Sequence, residues 1–414
     1  MDNFLFPRFW ELPELTELNR LPMRATLSPY KTVAQAQAGN PGKSPWVQSL
    51  DGQWEFRYFN SPSEVPSADL APDVGGNWSA ITVPGNWTMQ GWDKPHYTNV
   101  IMPFENTPPQ VPANANPTGL YRTRFSLPEG WSGRRTVIEL GGAESCICVY
   151  LNGVFIGMSK DCRLPAAFDL TPHLKEAENL LAVVCIRYSD GSYVEDQDQW
   201  WMAGLYRSVR LYSTASVYIE DIFARGEAGA DGKAATLRVN TSINFTTEPD
   251  ADLRPAEPRR SHTVEVQLCD AAGIPVFKTL PSVSISDSYR KQYYQGEIVV
   301  PVKRPSLWSD ECPNLYTLVV TLRTPDGKAV EHTSCRVGFR RVEVKDRELL
   351  LNGQPVYIKG VNRHDHDPDQ GKTVPREKML EEIRLLKQIN FNAVRTCTTP
   401  TIRCGWTCVM NTGS

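Results

Sequence analysis

The stretch from Leu349 to Arg395 constrains the fold of this chain more than any other. It opens on an apolar run, Leu349-Leu350-Leu351, followed by an Asn352-Gly353 turn and a second arm from Gln354 to Gly360. That pattern predicts a short hairpin. The second arm is expected to run on as a strand into Arg363-His364-Asp365-His366-Asp367, a polar cluster at its C-terminal end. Met379, Leu380, Ile383 and Leu386 then recur at helical spacing within Pro375–Gln388, with charges on the opposite face. Phe391 to Thr396 reads as a buried second strand. Strand, polar loop, helix and strand form the entry unit of a β/α barrel, a fold that carries its chemistry at strand C-terminal ends. A typical barrel takes roughly 250 residues. Only 18 residues follow Thr396, so the sequence predicts the first unit of an incomplete (β/α)8 barrel.

The residues before this unit are patterned for strands. Residues 1–46 are irregular, broken by Pro7, Pro13, Pro22, Pro29, Pro41 and Pro45. They are expected to form an arm laid over another surface, such as a neighbouring subunit. From Trp46 onward, short runs of period two alternate with Gly, Asn and Pro turns; in Gln53–Tyr58, for example, Trp54, Phe56 and Tyr58 share a face. The spacing predicts a jelly-roll sandwich over residues 47–213. A second series, about seven strands, predicts an immunoglobulin-like sandwich over residues 214–338. The barrel unit then occupies 339–396. The fold class is therefore mainly β, two sandwiches followed by a barrel entry.

Composition narrows the function classes. A net charge of −3 gives no footprint for nucleic acid or an anionic membrane, and no run approaches the ~18 apolar residues of a membrane span. Without a basic and apolar leader pattern at Met1–Pro7, a cytoplasmic location is expected, with the ten cysteines reduced. Cys146 and Cys148 alternate in an apolar strand and read as core. Cys404 and Cys408 lack the second pair that a zinc site needs. Eleven Trp and fifteen Tyr could offer flat faces to sugar rings, although β-rich domains also bury many aromatics.

Three constellations could carry chemistry. Asp190–Trp201 packs Asp190, Glu195, Asp196 and Asp198 among Tyr193, Trp200 and Trp201. Carboxylates accept bonds from sugar hydroxyls and hold hard cations; an acidic surface loop with core tryptophans explains the composition equally well. Arg363–Asp367 would put His364 and His366 on one face if extended, and its place at a strand end favours a site. Lys94–Val100 reads, on its own, as an ordinary proline-flanked loop.

Taken together the motifs resemble a known family. Phe9-Trp10-Glu11, Asn19-Arg20-Leu21-Pro22, Ser49–Trp54, Val83–Trp87, His96–Val100, Asn116–Gly119 and Ser159-Lys160-Asp161 are similar to the large bacterial β-galactosidases of glycoside hydrolase family 2. So are Ser189–Asp198, Lys359–His366 and Asn392–Thr396. The resemblance implies retaining hydrolysis of terminal β-D-galactosides such as lactose, assisted by Mg2+ and Na+, in a homo-oligomer. It implies that Asn99 and Asp198 reach from the jelly roll to the substrate, with Asp198 also holding sodium, and that His364 and Arg395 bind substrate at the barrel mouth. The catalytic acid/base and nucleophile glutamates, and the magnesium ligands, belong to later parts of the family's barrel and have no counterpart among these 414 residues. The chain alone is therefore expected to be inactive. A galactoside-binding module without turnover is one alternative. Another family 2 specificity, for glucuronides or mannosides, is a second, which the Asn99 and Asp198 motifs disfavour.

The resemblance stops at Thr396. Back-translated and read two bases later, Cys397–Gly413 permits His-Tyr-Pro-Asn-Asp-Pro-Leu-Trp-Leu-Asp-Leu-Cys-Asp-Glu-Tyr-Gly, the family's own continuation. A one-base deletion near the Cys397 codon accounts for residues 397–414 as a frameshifted tail.

Overall fold

The computed structural model describes residues 8–72, 75–99, 101–195, 198–246, 261–286, 294–397 and 409–410. The run Arg254–Arg260, residues Asp196 and Gln197, and most of the segment after Cys397 lie outside them.

The first sandwich sets a seven-stranded antiparallel sheet against a four-stranded one. The larger sheet runs in the order Glu17–Leu18, Val154–Ser159, Cys146–Leu151, Asn179–Ile186, Thr118–Phe125, Gly52–Phe59, Ser79–Val83. The smaller runs Ala166–Asp169, Arg135–Leu140, Val209–Thr214, Val47–Ser49. The alternation read in the sequence places Trp54 and Phe56 between the sheets, with Tyr121, Ile138, Phe168, Leu181, Val183 and Leu211.

Asn179–Ile186 departs from alternation: every residue in it is buried. Such an unbroken apolar run needs cover on both faces. Ala182, Val184 and Ile186, together with Cys146 and Cys148, meet Phe9 and Trp10 of the N-terminal arm on the outer face. The described residues of the arm therefore pack on this chain's own sandwiches. Glu17–Leu18 adds an edge strand to Val154–Ser159, and Leu27 joins the core of the second sandwich. Arm residues 33–38 even form a short helix, capped by Thr32, whose Ala36 packs with Tyr30 and Val319.

The second sandwich pairs Gln295–Lys303, Ala234–Phe245, Val217–Ala228 and Phe339–Arg340 against Ser282–Ser286, Ser261–Cys269, Tyr316–Arg323 and Ala329–Val337. Among the described residues these are seven strands of five or more residues plus the two-residue Phe339–Arg340, and inward residues such as Leu237, Val239, Val264, Val266, Leu318 and Val320 fill the core.

The barrel entry forms, with differences. Glu348–Leu351 and Gln354–Pro355 make the predicted hairpin, with Asn352 and Gly353 at φ 52° and 79° as a two-residue turn of the I′ type requires. The second arm does not continue as one strand: Tyr357 and Ile358 are exposed, and Gly360–Arg363 starts a separate sheet. It pairs in parallel with Ala393–Thr396 across the helix Arg376–Gln388. The helix buries Met379 and Ile383, while Leu380 and Leu386 are only half-covered. The predicted buried second strand is shorter and partly exposed, with Arg395 open to solvent, because a sheet of two strands leaves much of its surface uncovered.

Candidate functional site

The loop Lys94–Val100, read alone as ordinary, is paired with the acidic stretch. His96–Thr98 forms a two-stranded antiparallel ribbon with Gln199–Trp201, in the register Thr98 to Gln199, Tyr97 to Trp200 and His96 to Trp201. Asn99 directly follows and Asp198 directly precedes the last pair of this ladder, Thr98 and Gln199. Two residues almost a hundred positions apart are thus set side by side at the end of the ribbon, both exposed. Strand alternation splits the two tryptophans: Trp201 turns inward at 7% exposure, its Nε1 donating to Thr98 Oγ1 at 2.8 Å, while Trp200 remains 42% exposed. Trp200 contacts the Tyr97 ring at 5.5 Å between centroids, and the Tyr97 hydroxyl donates to Asp198 Oδ1. That hydrogen bond raises the Tyr97 pKa above its ordinary value, so the phenol stays a donor and fixes the carboxylate's orientation.

Two other acids of the stretch, Asp190 and Glu195, are structural. Asp190 is buried, accepting from Gly191 N at 2.7 Å and pairing with Lys160 Nζ at 2.8 Å. Lys160 Nζ also donates to Leu12 O of the arm at 2.8 Å. Glu195 accepts from Cys162 N at 3.1 Å, and burial raises its pKa. Spacing could not separate these from Asp198; only their placement does.

On the barrel side, Gly360–Arg363 ends before the histidines, so His364 and His366 sit in a loop and not on one strand face. His364 is exposed, while His366 is half-buried and its pKa is lowered, chiefly by desolvation. Arg395 lies opposite Asn362 in the parallel pair and donates to its Oδ1 at 3.3 Å. Arg363 is committed to Asp365 and to Glu382, the latter at 2.8 Å from Nε.

This loop docks into the jelly roll through contacts that no motif announced. Lys372 N donates to Asn86 Oδ1 at 2.8 Å, and Lys372 Nζ pairs with Glu144 Oε2 at 2.8 Å, both groups buried. Thr373 Oγ1 donates to Tyr206 O at 3.0 Å, and Arg207 reaches Asp365 at 3.6 Å. Gly371, at φ 66°, lets the backbone pass where a Cβ would lie 2.6 Å from Met202 Sδ and 2.7 Å from Asn86 Oδ1. Met202 directly follows the Gln199–Trp201 strand, so the docked loop abuts the base of the ribbon. The structure thus brings Asn99 to Asp198, and His364 to the strand pair that carries Arg395. Among the described residues no hydrogen bond or ion pair joins one group to the other.

The fit to a cation is partial. Asp198 has Oδ2 without a protein partner among the described residues, one oxygen suited to a hard cation. No cluster of three or more His, Cys, Asp or Glu side chains able to hold a metal occurs among them. No helix among them is long and apolar enough to cross a membrane.

Two stacked sandwiches leading into a β/α unit, with a polar ribbon beside the first barrel loop, place this chain in a class of glycoside hydrolases. It belongs to glycosyl hydrolase family 2: the family's sugar-binding domain matches residues 47–215, the model described simply as glycosyl hydrolases family 2 matches 217–340, and the TIM-barrel domain matches 342–405. Its relatives include the β-galactosidase of Vibrio cholerae serotype O1, 41% identical over 97% of this chain and 38% of that protein. The β-galactosidase of Psychromonas ingrahamii is 40% identical over 95% of this chain and 37% of its own length. The chain thus spans a little over a third of these relatives. Among solved structures, a β-glycosidase from Bacteroides vulgatus superposes with TM-score 0.69 at 22% identity, over 89% of this chain and 43% of that one. The β-glucuronidase of Bacteroides uniformis gives 0.72 at 20%, over 89% and 41%. At that identity the two structures share the fold, which carries no specificity.

Proposed function

We propose that this chain is the sugar-recognising front of a β-galactosidase that hydrolyses terminal β-D-galactosides with retention. The observation that carries the reading is the ribbon register that sets Asp198 beside Asn99, next to exposed Tyr97 and Trp200. Asp198 accepts from galactose hydroxyls and gives Oδ2 to sodium, while Tyr97 holds Oδ1. Asn99 offers its amide NH2 as donor and its carbonyl oxygen as acceptor to the sugar. His364 and Arg395 approach the substrate from the barrel side, Arg395 steadied by Asn362. Magnesium, which the family resemblance also implies, has no ligand set among the described residues. Retaining hydrolysis needs two carboxyl groups about 5 Å apart, and the family takes them from later barrel strands. The 414-residue polypeptide is therefore expected to bind galactosides without turning them over. The intact enzyme is read as a cytoplasmic homo-oligomer, which sedimentation of the assembled protein would check.

The test joins residues 1–396 to the remaining barrel of the Vibrio cholerae relative. The chimera should cleave a nitrophenyl β-galactoside in a sodium-dependent way. Asp198→Ala should lower kcat/KM at least about tenfold, because losing a charged hydrogen-bond partner costs about 1.5–3 kcal/mol, and should blunt the sodium response. An Asp198→Ala chimera with unchanged kcat/KM and sodium response would show that the ribbon is scaffold only. Galactose titrated into the 414-residue chain by NMR gives an independent readout, with shifts expected at Asn99, Asp198 and Trp200 indole.

A further inference from the structure

The ribbon that carries Asn99 and Asp198 has three residue pairs, and a two-stranded ribbon by itself is at best marginally stable in water. Its position must be fixed from outside. Arg187 and Tyr188 directly follow the fully buried core strand Asn179–Ile186, and each engages both sides of the ribbon. The Arg187 guanidinium, 1% exposed, donates from Nη2 to Trp201 O at 3.1 Å on one arm. From Nη1 it donates to the carboxylate of Asp93, on the segment leading into the other arm at His96. Tyr188 meets the Trp201 ring edge-on, with centroids 6.3 Å apart, and its hydroxyl lies 3.4 Å from His96 Nδ1. Asn116 holds this pair of residues in place, accepting from Tyr188 N and donating to Tyr188 O, both at 2.9 Å.

A guanidinium suits this place where an ammonium would not. Its planar fork holds two acceptors at a fixed separation, so one rigid group spaces the Trp201 carbonyl from the Asp93 carboxylate. Arg187 Nε has no hydrogen-bond partner among the described residues, which leaves both side-chain hydrogen bonds of this group on the ribbon and its approach. Asp93 sits in the left-handed region at φ 57°, which aspartate tolerates better than most residues. Its side chain is only 17% exposed, so removing either partner leaves the other charge poorly solvated and unpaired.

We propose that Arg187, together with Asp93, is a positioning residue for sugar recognition: it fixes the two arms of the ribbon to each other and to the core strand, and so sets the separation at which Asn99 and Asp198 meet a galactoside. Among the described residues no hydrogen bond or ion pair joins it to Asn99 or Asp198, so it acts through the strands. This role presupposes the galactoside reading above. An arginine at the end of an apolar strand looks, in sequence, like a surface residue; burial under the ribbon is what gives it this task.

The test compares Arg187→Lys, which keeps a charge beside Asp93 but lacks the fork to hold Trp201 O as well, with Asp93→Asn, which keeps the shape and removes the charge. Arg135→Lys is the control, since Arg135 pairs with Asp169 at 2.8 Å in the smaller sheet of the same sandwich and has a side chain only 5% exposed. All three should lower the urea midpoint of the first sandwich. Amide exchange at residues 96–98 and 199–201 of the 414-residue chain, without sugar, should accelerate roughly tenfold more in the two ribbon variants than in the control. Galactose titrated into the same chain by NMR should bind them about tenfold more weakly, and should bind Arg135→Lys like the parent. In the chimera with the Vibrio cholerae barrel, KM should rise about tenfold with kcat within about threefold of the parent, the pattern of lost uniform binding. Mere destabilisation would instead shrink the active fraction, lowering kcat at unchanged KM. Ribbon exchange no faster than in Arg135→Lys, or an unchanged KM in Arg187→Lys where Asp198→Ala does raise it, would overturn the positioning role. Faster ribbon exchange with KM unmoved in both Arg187→Lys and Asp198→Ala would overturn the galactoside reading and leave Arg187 as the group that holds the ribbon.

Discussion

Replacing Lys372 with methionine isolates the contact that seats the first barrel loop on the jelly roll. Lys372 and Glu144 pair at 2.8 Å with side chains only 6% and 5% exposed. Methionine keeps an unbranched apolar stem but leaves the Glu144 carboxylate buried, with Met202 N as a distant donor at 3.4 Å. Removing one partner of a buried pair costs about 3–5 kcal/mol, against about 1 or less for an exposed pair. At about 1.4 kcal/mol per factor of ten, amides in the loop from His364 to Pro375 should lose roughly 140- to 4,000-fold in exchange protection. The sandwiches, with separate cores, should keep theirs. Lys372→Met combined with Glu144→Gln should recover most of the loss, since neither buried charge remains. pH provides a second readout. Burial pulls the Lys372 pKa down to about 8 despite the attraction of Glu144. Between about pH 8 and the ordinary lysine value, the unfolded chain holds a proton that the folded chain has released, so stability rises with pH across that window. Lys372→Met should flatten this slope. Unchanged exchange in the single variant, or a double variant as labile as the single one, would refute the reasoning.

Other substitutions probe the remaining buried groups. Glu331 is fully buried, and burial raises its pKa to about 7. The folded chain therefore holds the extra proton above the ordinary carboxylate range, and the second sandwich should lose stability as pH rises toward 7. Glu331→Gln should melt like the parent near pH 5 and above it at pH 8; equal melting at both would count against a buried, costly carboxylate. Asp190→Ala leaves Lys160 buried against one carbonyl, Leu12 O. About 3–5 kcal/mol should be lost from the first sandwich in urea unfolding, whereas Asp198→Ala, at an exposed site, should change it by less than about 0.5 kcal/mol. Gly371→Ala imposes a left-handed φ on alanine, costing about 1–2 kcal/mol, and adds the Met202 and Asn86 clashes. It should loosen the barrel loop in limited proteolysis while Gly353→Ala, whose Cβ would meet nothing, pays only for its backbone angle.

The fold was legible where a local pattern had one physical solution. Trp54, Phe56 and Tyr58 had to share a face because strand alternation leaves no choice, and Asn352-Gly353 had to turn a hairpin because both residues accept positive φ. The helix Arg376–Gln388 followed from its apolar spacing to within a residue. Patterns with two solutions were not settled. The apolar run Leu180–Ile186 signals double burial, but nothing in it names Phe9 and Trp10 as the cover. The acidic stretch likewise gave no means of distinguishing Asp190 and Glu195, which face inward, from Asp198, which does not.

Sequence by itself determined the strand and helix periods, the order of two sandwiches and a barrel entry, and the family to which the motifs belong, since each of these is written in residues close together in the chain. Tertiary structure decided which distant residues became neighbours. Register alone set Asn99 beside Asp198, joining a loop that looked ordinary to one that looked acidic. Docking alone buried Lys372 against Glu144, 228 residues apart. Such encounters leave no periodic trace in either partner's surroundings, because the free energy that selects them belongs to the packed interface and not to either segment.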